Sequence, residues 1–270
     1  MATFRVFGFL LLCACFATSS RSSALADDSV SGDASAPAKP PASPGAPAPK
    51  SSRENHPEVG VGVKVSTLGV GGELALPVTH RSNVRFGFNA FNYNHTFLKD
   101  GVTYKGALDL RSAQALFDIF PFTAGFHLSP GVLLYNGNKI NANAAVPGGQ
   151  SFTLNGTTYL SDAANPVTGT GKLTFYKAAP MILLGFGNLV PRSKRRFSVS
   201  FEVGAAYQGP PRAALALSGS ACDSTGLNCR TISSDPTIQN NVLAEQAKIN
   251  KSASPFRFYP VVSFGVGYKF

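Results

Sequence analysis

The stretch FRFYPVVSFGVGYKF, Phe256–Phe270, closes the chain on an aromatic residue. Phe256, Phe258, Val262, Phe264, Val266, Tyr268 and Phe270 share one parity. Arg257, Tyr259, Ser263, Gly265, Gly267 and Lys269 share the other. A period of two with one apolar side is a strand covered on a single face. Whether protein core or lipid covers that face decides the fold.

Working back from this strand, the same alternation recurs to Glu58. Val59 to Val65 alternates Val with Gly or Lys; Val70, Gly72, Leu74, Leu76 and Val78 alternate with Gly71, Glu73, Ala75 and Pro77. Val84, Phe86, Phe88 and Ala90 alternate with Arg85, Gly87 and Asn89. Tyr104, Leu108, Leu110 and Leu116 form a less regular apolar side opposite Lys105, Asp109 and Arg111. Phe126, Leu128, Val132 and Leu134 oppose His127, Ser129 and Gly131, and Phe197 to Tyr207 alternates with Ser198, Ser200, Glu202 and Gly204. Leu173 to Gly187 is apolar on both parities, so its facing stays open. With the terminal strand this predicts eight strands. From the second connection on, short turns alternate with longer loops, the longest being 136–170 and 208–255. Short turns on one side and long loops on the other are the pattern of an up-and-down barrel in an outer membrane.

The polar parity carries Lys64, Glu73, Arg85, Lys105, Asp109, Arg111, Glu202, Arg257 and Lys269. Such a mixed-charge set is a poor wall for a dry core, as a soluble lipocalin-type barrel would require. It suits a narrow polar lumen with paired charges, and the opposite parity of Phe, Val, Leu and Tyr suits lipid. The sequence therefore predicts an all-β, up-and-down, antiparallel eight-stranded transmembrane β-barrel over 58–270, in preference to a β-sandwich with solvated polar faces.

Phe264, Val266, Tyr268 and Phe270 resemble the C-terminal signature of bacterial outer-membrane barrels, and Glu58 to Phe270 is similar in layout to small barrels such as that of outer-membrane protein A. The stretches LDLRSAQALFDIFPF and LLYNGNK resemble a group of Gram-negative outer-membrane barrels with no assigned role. The resemblance implies that these four residues are read by the barrel-assembly machinery, and that the protein sits among outer-membrane lipid and lipopolysaccharide. It implies little about activity, since one fold hosts several jobs.

The N-terminus agrees with export. Arg5, an apolar run from Val6 to Ala17 and Ala24-Leu25-Ala26 have the layout of a signal peptide over 1–26, and the run is too short for a membrane helix. Leu12-Cys13-Ala14-Cys15 is a poor lipobox. Residues 27–57, including SAPAKPPASPGAPAPKSS, predict an unpacked Ala/Pro-rich periplasmic linker, whose Lys39, Lys50 and Arg53 could reach peptidoglycan. The net charge of +10 falls to 22 − 14 = +8 once Arg5 and Arg21 leave with the signal. Basic balance favours anionic partners; export argues for lipid headgroups and against nucleic acid. Cys222 and Cys229 remain, and an exported pair with no nearby His predicts a loop disulfide and no metal site.

Few residues suggest chemistry. His127 and Ser129 have the His-x-Ser spacing of lipid A deacylases, but alternation points both into the lumen, where a His and a Ser lining it is the plainer reading. Arg192, Lys194, Arg195 and Arg196 crowd one turn, as a solvated turn or a headgroup contact. The glycines from Gly60 to Gly72 complete no nucleotide-loop spacing. Asp235-Pro236 predicts a short helix through Lys248. No catalytic residue and no cofactor are expected. The sequence points to a structural or surface-interaction role in the envelope, with a narrow anion- or solute-conducting pore as the alternative and a lipid A-modifying enzyme behind both.

Overall fold

A computed structural model of the chain describes residues 58–122, 125–193 and 195–270. The expected signal peptide (1–26) and linker (27–57) lie outside the described residues. Strands β1 (Gly60–Ser66), β2 (Gly69–Thr79), β3 (Ser82–Lys99), β4 (Val102–Ile119) and β5 (Phe126–Asn136) are successive antiparallel neighbours. The chain next builds β6 (Lys139–Val146), β7 (Ser151–Leu154), β8 (Thr157–Ser161) and β9 (Val167–Thr174). It returns to the barrel as β10 (Ala179–Phe186) and β11 (Phe197–Tyr207). Then come β12 (Arg212–Ser218), β13 (Ser220–Cys222), β14 (Arg230–Thr231), helix α1 (Pro236–Ala253), a 3-10 turn and β15 (Phe258–Lys269).

The terminal strand closes the ring. Val266 of β15 pairs with Val63 of β1 on one side and with Val199 of β11 on the other. β10 bridges β11 and β5, and β5 meets β4, so eight strands form a closed up-and-down barrel. Closure removes the unpaired strand edges that hydrocarbon does not tolerate. Among the described residues no helix is long and apolar enough to cross a membrane; the strands do the crossing.

The outside of the ring is a continuous apolar belt. Val63 (61% exposed), Phe88 (63%), Phe186 (61%) and Phe264 (55%) alternate with buried neighbours. Rings cluster at both rims: Phe197–Tyr268, Tyr268–Phe270 and Phe126–Phe186 at the end holding the C-terminus, Tyr207–Phe258 at the other. An apolar band between aromatic girdles is the exterior that a bilayer requires.

One expectation about facing is corrected, and one facing that the sequence left open is settled. In β4 the inward residues are Ser112, Gln114, Leu116 and Asp118, all buried, while Lys105 and Arg111 are exposed on the outer side. The charged odd positions lie beyond the upper edge of the apolar belt; lower down the same parity becomes Ala113, Ala115, Phe117 and Ile119. In β10, apolar on both parities, Ala179, Met181 and Leu183 point inward and Ile182, Leu184 and Phe186 outward.

β3 and β4, each 18 residues long, rise well beyond the belt. Beside them β6, β9 and β12 extend the wall in the order β3-β4-β6-β9-β12, forming a crest. A small four-stranded sheet, β7-β8-β13-β14, and α1 pack against its inner side. Val102, Val146, Leu154, Val167, Ile232, Ile238 and Val242 give this outer module its own core. The stretches expected as long loops are thus largely folded. Helix α1 begins where the sequence indicated: the Asp235 carboxylate accepts from the backbone N–H of Thr237 and Ile238, and Pro236 occupies the first turn.

Candidate functional site

A barrel of eight strands encloses only enough space for side chains. Here three layers occupy it. The middle layer is ionic and centres on Arg85, on β3. Its guanidinium donates to Glu73 of β2 at 3.1 Å, to Asp118 of β4 at 3.0 Å and to Glu202 of β11. Lys64 of β1 adds a second contact to Glu73 at 3.3 Å. His127 Nε2 lies 3.1 Å from Glu202, Ser263 donates to Glu202 at 2.9 Å, and Ser129 donates to Asp118 at 2.6 Å. Two fixed cations and His127 thus face three carboxylates, every one of them buried. Glu73 of β2, Asp118 of β4 and Glu202 of β11 converge on Arg85 of β3, so one arginine links four strands. Removing any member strands its partners in a low-dielectric space.

Toward the outer side, Leu68, Leu116, Leu133, Ala179, Met181, Leu183, Ala206 and Val261 form an apolar layer. Leu68 belongs to the short turn between β1 and β2, and this turn folds over the ring. Thr67 N–H donates to Val262 O at 3.0 Å, and the Tyr259 hydroxyl donates to Thr67 O at 2.6 Å. Toward the C-terminal end the segment 187–193 enters the ring. Leu189 and Val190 pack on Ala75. A Cβ on Gly267 would come within 2.0 Å of Leu189 Cδ1, so glycine there is what admits the leucine. Arg192 ties the turn down by donating to Thr79 O, Ser82 O and Asn83 Oδ1, and Lys269 Nζ donates to Pro191 O and Ser193 O and meets Glu58 at 3.2 Å.

Of the residues expected to line the lumen, the structure brings Lys64, Glu73, Arg85 and Glu202 together and seats Lys269 at the ring's end. Four others fall outside the lumen. Lys105 and Arg111 are exposed on the outer wall, Asp109 pairs there with Lys139 at 3.6 Å, and Arg257 is exposed in the 3-10 turn above the ring. Sequence reasoning overlooked Asp118. The clue was a lone acid inside Leu116-Phe-Asp-Ile-Phe120, an apolar stretch that leaves a carboxylate nowhere to go but inward. His127 and Ser129 share the inner face, but Ser129 donates to Asp118 and His127 meets Glu202, so hydroxyl and imidazole do not meet each other. In the basic turn Arg192 is spent on backbone carbonyls, Arg196 donates to the Tyr268 hydroxyl, and Lys194 lies outside the described residues. Phe264, Val266 and Phe270 stand on the apolar belt, with Tyr268 half-buried between Phe197 and Phe270.

In the outer module Cys222 and Cys229 form a disulfide. Their sulfurs are therefore unavailable as thiolate ligands, although Asp162 lies beside them. In the following loop, hydrogen bonds from the Thr225 hydroxyl and Asn228 amide lower the Asp223 carboxyl to about 2. The Asp235 carboxyl is likewise lowered, first by the Ile238 backbone N–H and then by the Arg230 guanidinium, 3.0 Å away.

No protein-family model matches the chain, and no curated protein matches it. Several solved chains do resemble it. Acinetobacter baumannii CarO is 25% identical, with a TM-score of 0.50 over 78% of this chain and 97% of that one. Acinetobacter baumannii CarO2 is 24% identical, with a TM-score of 0.51 over 79% and 98%. Both are eight-stranded outer-membrane barrels. Together with the closed ring and its apolar belt, this makes the chain a small β-barrel of the outer membrane.

Proposed function

We propose that this outer-membrane barrel is a closed, non-enzymatic scaffold whose task is to hold its folded outer module at the cell surface for interaction. The observation that carries the reading is the filling of the lumen at three successive levels. An apolar lid around Leu68, an ion network around Arg85 and an apolar stopper at Leu189 lie in series. A chain of buried, paired charges between two apolar layers, with only Arg85 Nε left without a partner in the ionic layer, offers no path for a hydrated ion. The inner Ser129 and His127 are equally remote from any lipid substrate. Meanwhile the chain spends four small strands, a helix and a disulfide on a separate core above the membrane, which a bare membrane staple would not need.

Reading of the terminal strand by the assembly machinery and a peptidoglycan contact through the linker belong to the same proposal. The apolar, exposed Phe264, Val266 and Phe270 support the former.

The experiment is current recording across a planar bilayer containing the refolded full-length protein, with folding verified by heat-dependent gel mobility. A silent bilayer is expected. Discrete, anion-selective steps would overturn the reading in favour of a channel.

A further inference from the structure

The outer wall of the crest changes character abruptly at the top of the apolar belt. On β4 the outward series runs Ile119, Phe117, Ala115, Ala113 and then Arg111, Asp109 and Lys105. Neighbouring strands switch at the same height. Asp109 pairs in register with Lys139, Lys139 with Thr174 and Thr174 with Arg212, so β4, β6, β9 and β12 carry one transverse row. Arg111 lies one outward step below that row on β4, and Lys172 one outward step above it on β9. Between the cations stand amides and hydroxyls: Asn141, Asn143, Thr168, Thr170 and Thr174. The wall carries Lys105, Arg111, Lys139, Lys172 and Arg212 against a single carboxylate, Asp109, which Lys139, Asn92 and Asn141 already occupy.

The row has a fixed height. Tyr176, 40% exposed, donates its backbone N–H to Gln208 O, next to the rim residue Tyr207, and the Arg212 guanidinium lies 5.7 Å from its ring centroid. Such stacking holds a cation at the membrane interface. At that level the surroundings are the phosphorylated headgroups of the outer leaflet, not open water.

We infer that this wall, centred on Arg111, Lys139, Lys172 and Arg212, is a binding site for the phosphate groups of lipopolysaccharide, with the intervening amides and hydroxyls meeting its sugars. Charge complementarity and register support it. A row of cations spaced by strand separation matches several phosphates at once, whereas a solvated wall needs only mixed charge. The site rests on the outer-membrane location and not on the closed-scaffold reading, which conductance tests separately.

The test is titration of the full-length protein, in mild detergent, with nanodiscs of three compositions: lipopolysaccharide, the same lipopolysaccharide freed of phosphate, and phosphatidylglycerol. Binding to intact lipopolysaccharide is expected to be about tenfold tighter than to either of the others. Reversing the wall (Arg111→Glu, Lys139→Glu, Lys172→Glu, Arg212→Glu) should remove about tenfold of that affinity, while Lys248→Glu with Lys251→Glu on exposed α1 changes it by less than about twofold. Equal binding of phosphatidylglycerol, equal loss in the α1 variant, or no loss in the wall variant would overturn the proposal. If the fourfold variant fails the gel-mobility test, Arg111→Gln with Arg212→Gln should still lower affinity about threefold, and an unchanged affinity there refutes the site equally.

Discussion

Replacing Arg85 by Met would leave Lys64 as the one fixed cation, beside His127, against Glu73, Asp118 and Glu202 inside the ring. Breaking a buried ionic cluster by removing one partner costs about 3–5 kcal/mol, because the uncompensated charges stay desolvated. Unfolding in urea, read by loss of the heat-modifiable gel form, should shift by that amount. Arg85→Lys should recover only part of it, since an ammonium cannot bridge three carboxylates with a planar fork. Adding Glu202→Gln to Arg85→Met should restore stability, and a double variant as weak as the single would show that packing, not charge, holds the layer. How much of this cluster was legible differs residue by residue. Arg85, Glu73, Lys64 and Glu202 each sit between lipid-facing apolar neighbours, so alternation alone sends them inward. Arg111, between Leu110 and Ser112, and Lys105, between Tyr104 and Gly106, face outward instead, because a strand carries no mark where it leaves the bilayer.

That missing mark matters most for the long elements. β3 and β4 read as ordinary membrane strands with a loop between them, yet half of each belongs to the crest. The helix was readable because its start has chemistry of its own, an Asp–Pro pair whose carboxylate meets free backbone N–H groups. β6, β9 and β12 were hidden in stretches such as NANAAV and VTGTGKLT, whose small and polar residues show weak alternation when both faces are half covered. The cap also makes the outer module acid-sensitive. The folded-state pKa values of Asp235 and Asp223 both lie below the ordinary 3.8, so their contribution is complete above that value and fades as pH falls through the lowered values, about 2 for Asp223. Helical circular dichroism should therefore hold at neutral pH and fall only as pH drops below about 4. Asp235→Ala should lower module stability and reduce that acid step. A pH profile identical to the unmodified protein would mean that the cap does not govern the helix.

At the scale of the whole molecule, two cores share one continuous wall. The ring is held by closure and by its three inner layers, the outer module by the cluster around Ile232, Ile238 and Val242 and by Cys222–Cys229. Hydrogen bonds run unbroken through β3 and β4 between them, but their apolar cores are distinct, and only the outer one faces water on all open sides. Water-exposed modules of this size unfold at lower cost than a ring whose edges are sealed in lipid, so denaturant should dissolve the outer core first. Reducing the disulfide removes the closure of a short loop, worth about 2–3 kcal/mol in the chain-entropy account. Reduction should therefore lower the first transition alone. Guanidinium titration followed by two probes, proteolysis of the 208–257 region for the module and gel mobility for the ring, distinguishes the outcomes. Separate transitions, with only the proteolysis midpoint moved by reduction, mean that the surface module can vary while the barrel stays folded beneath it. One coincident transition, moved as a whole by reduction, would mean instead that the crest is part of what keeps the barrel closed.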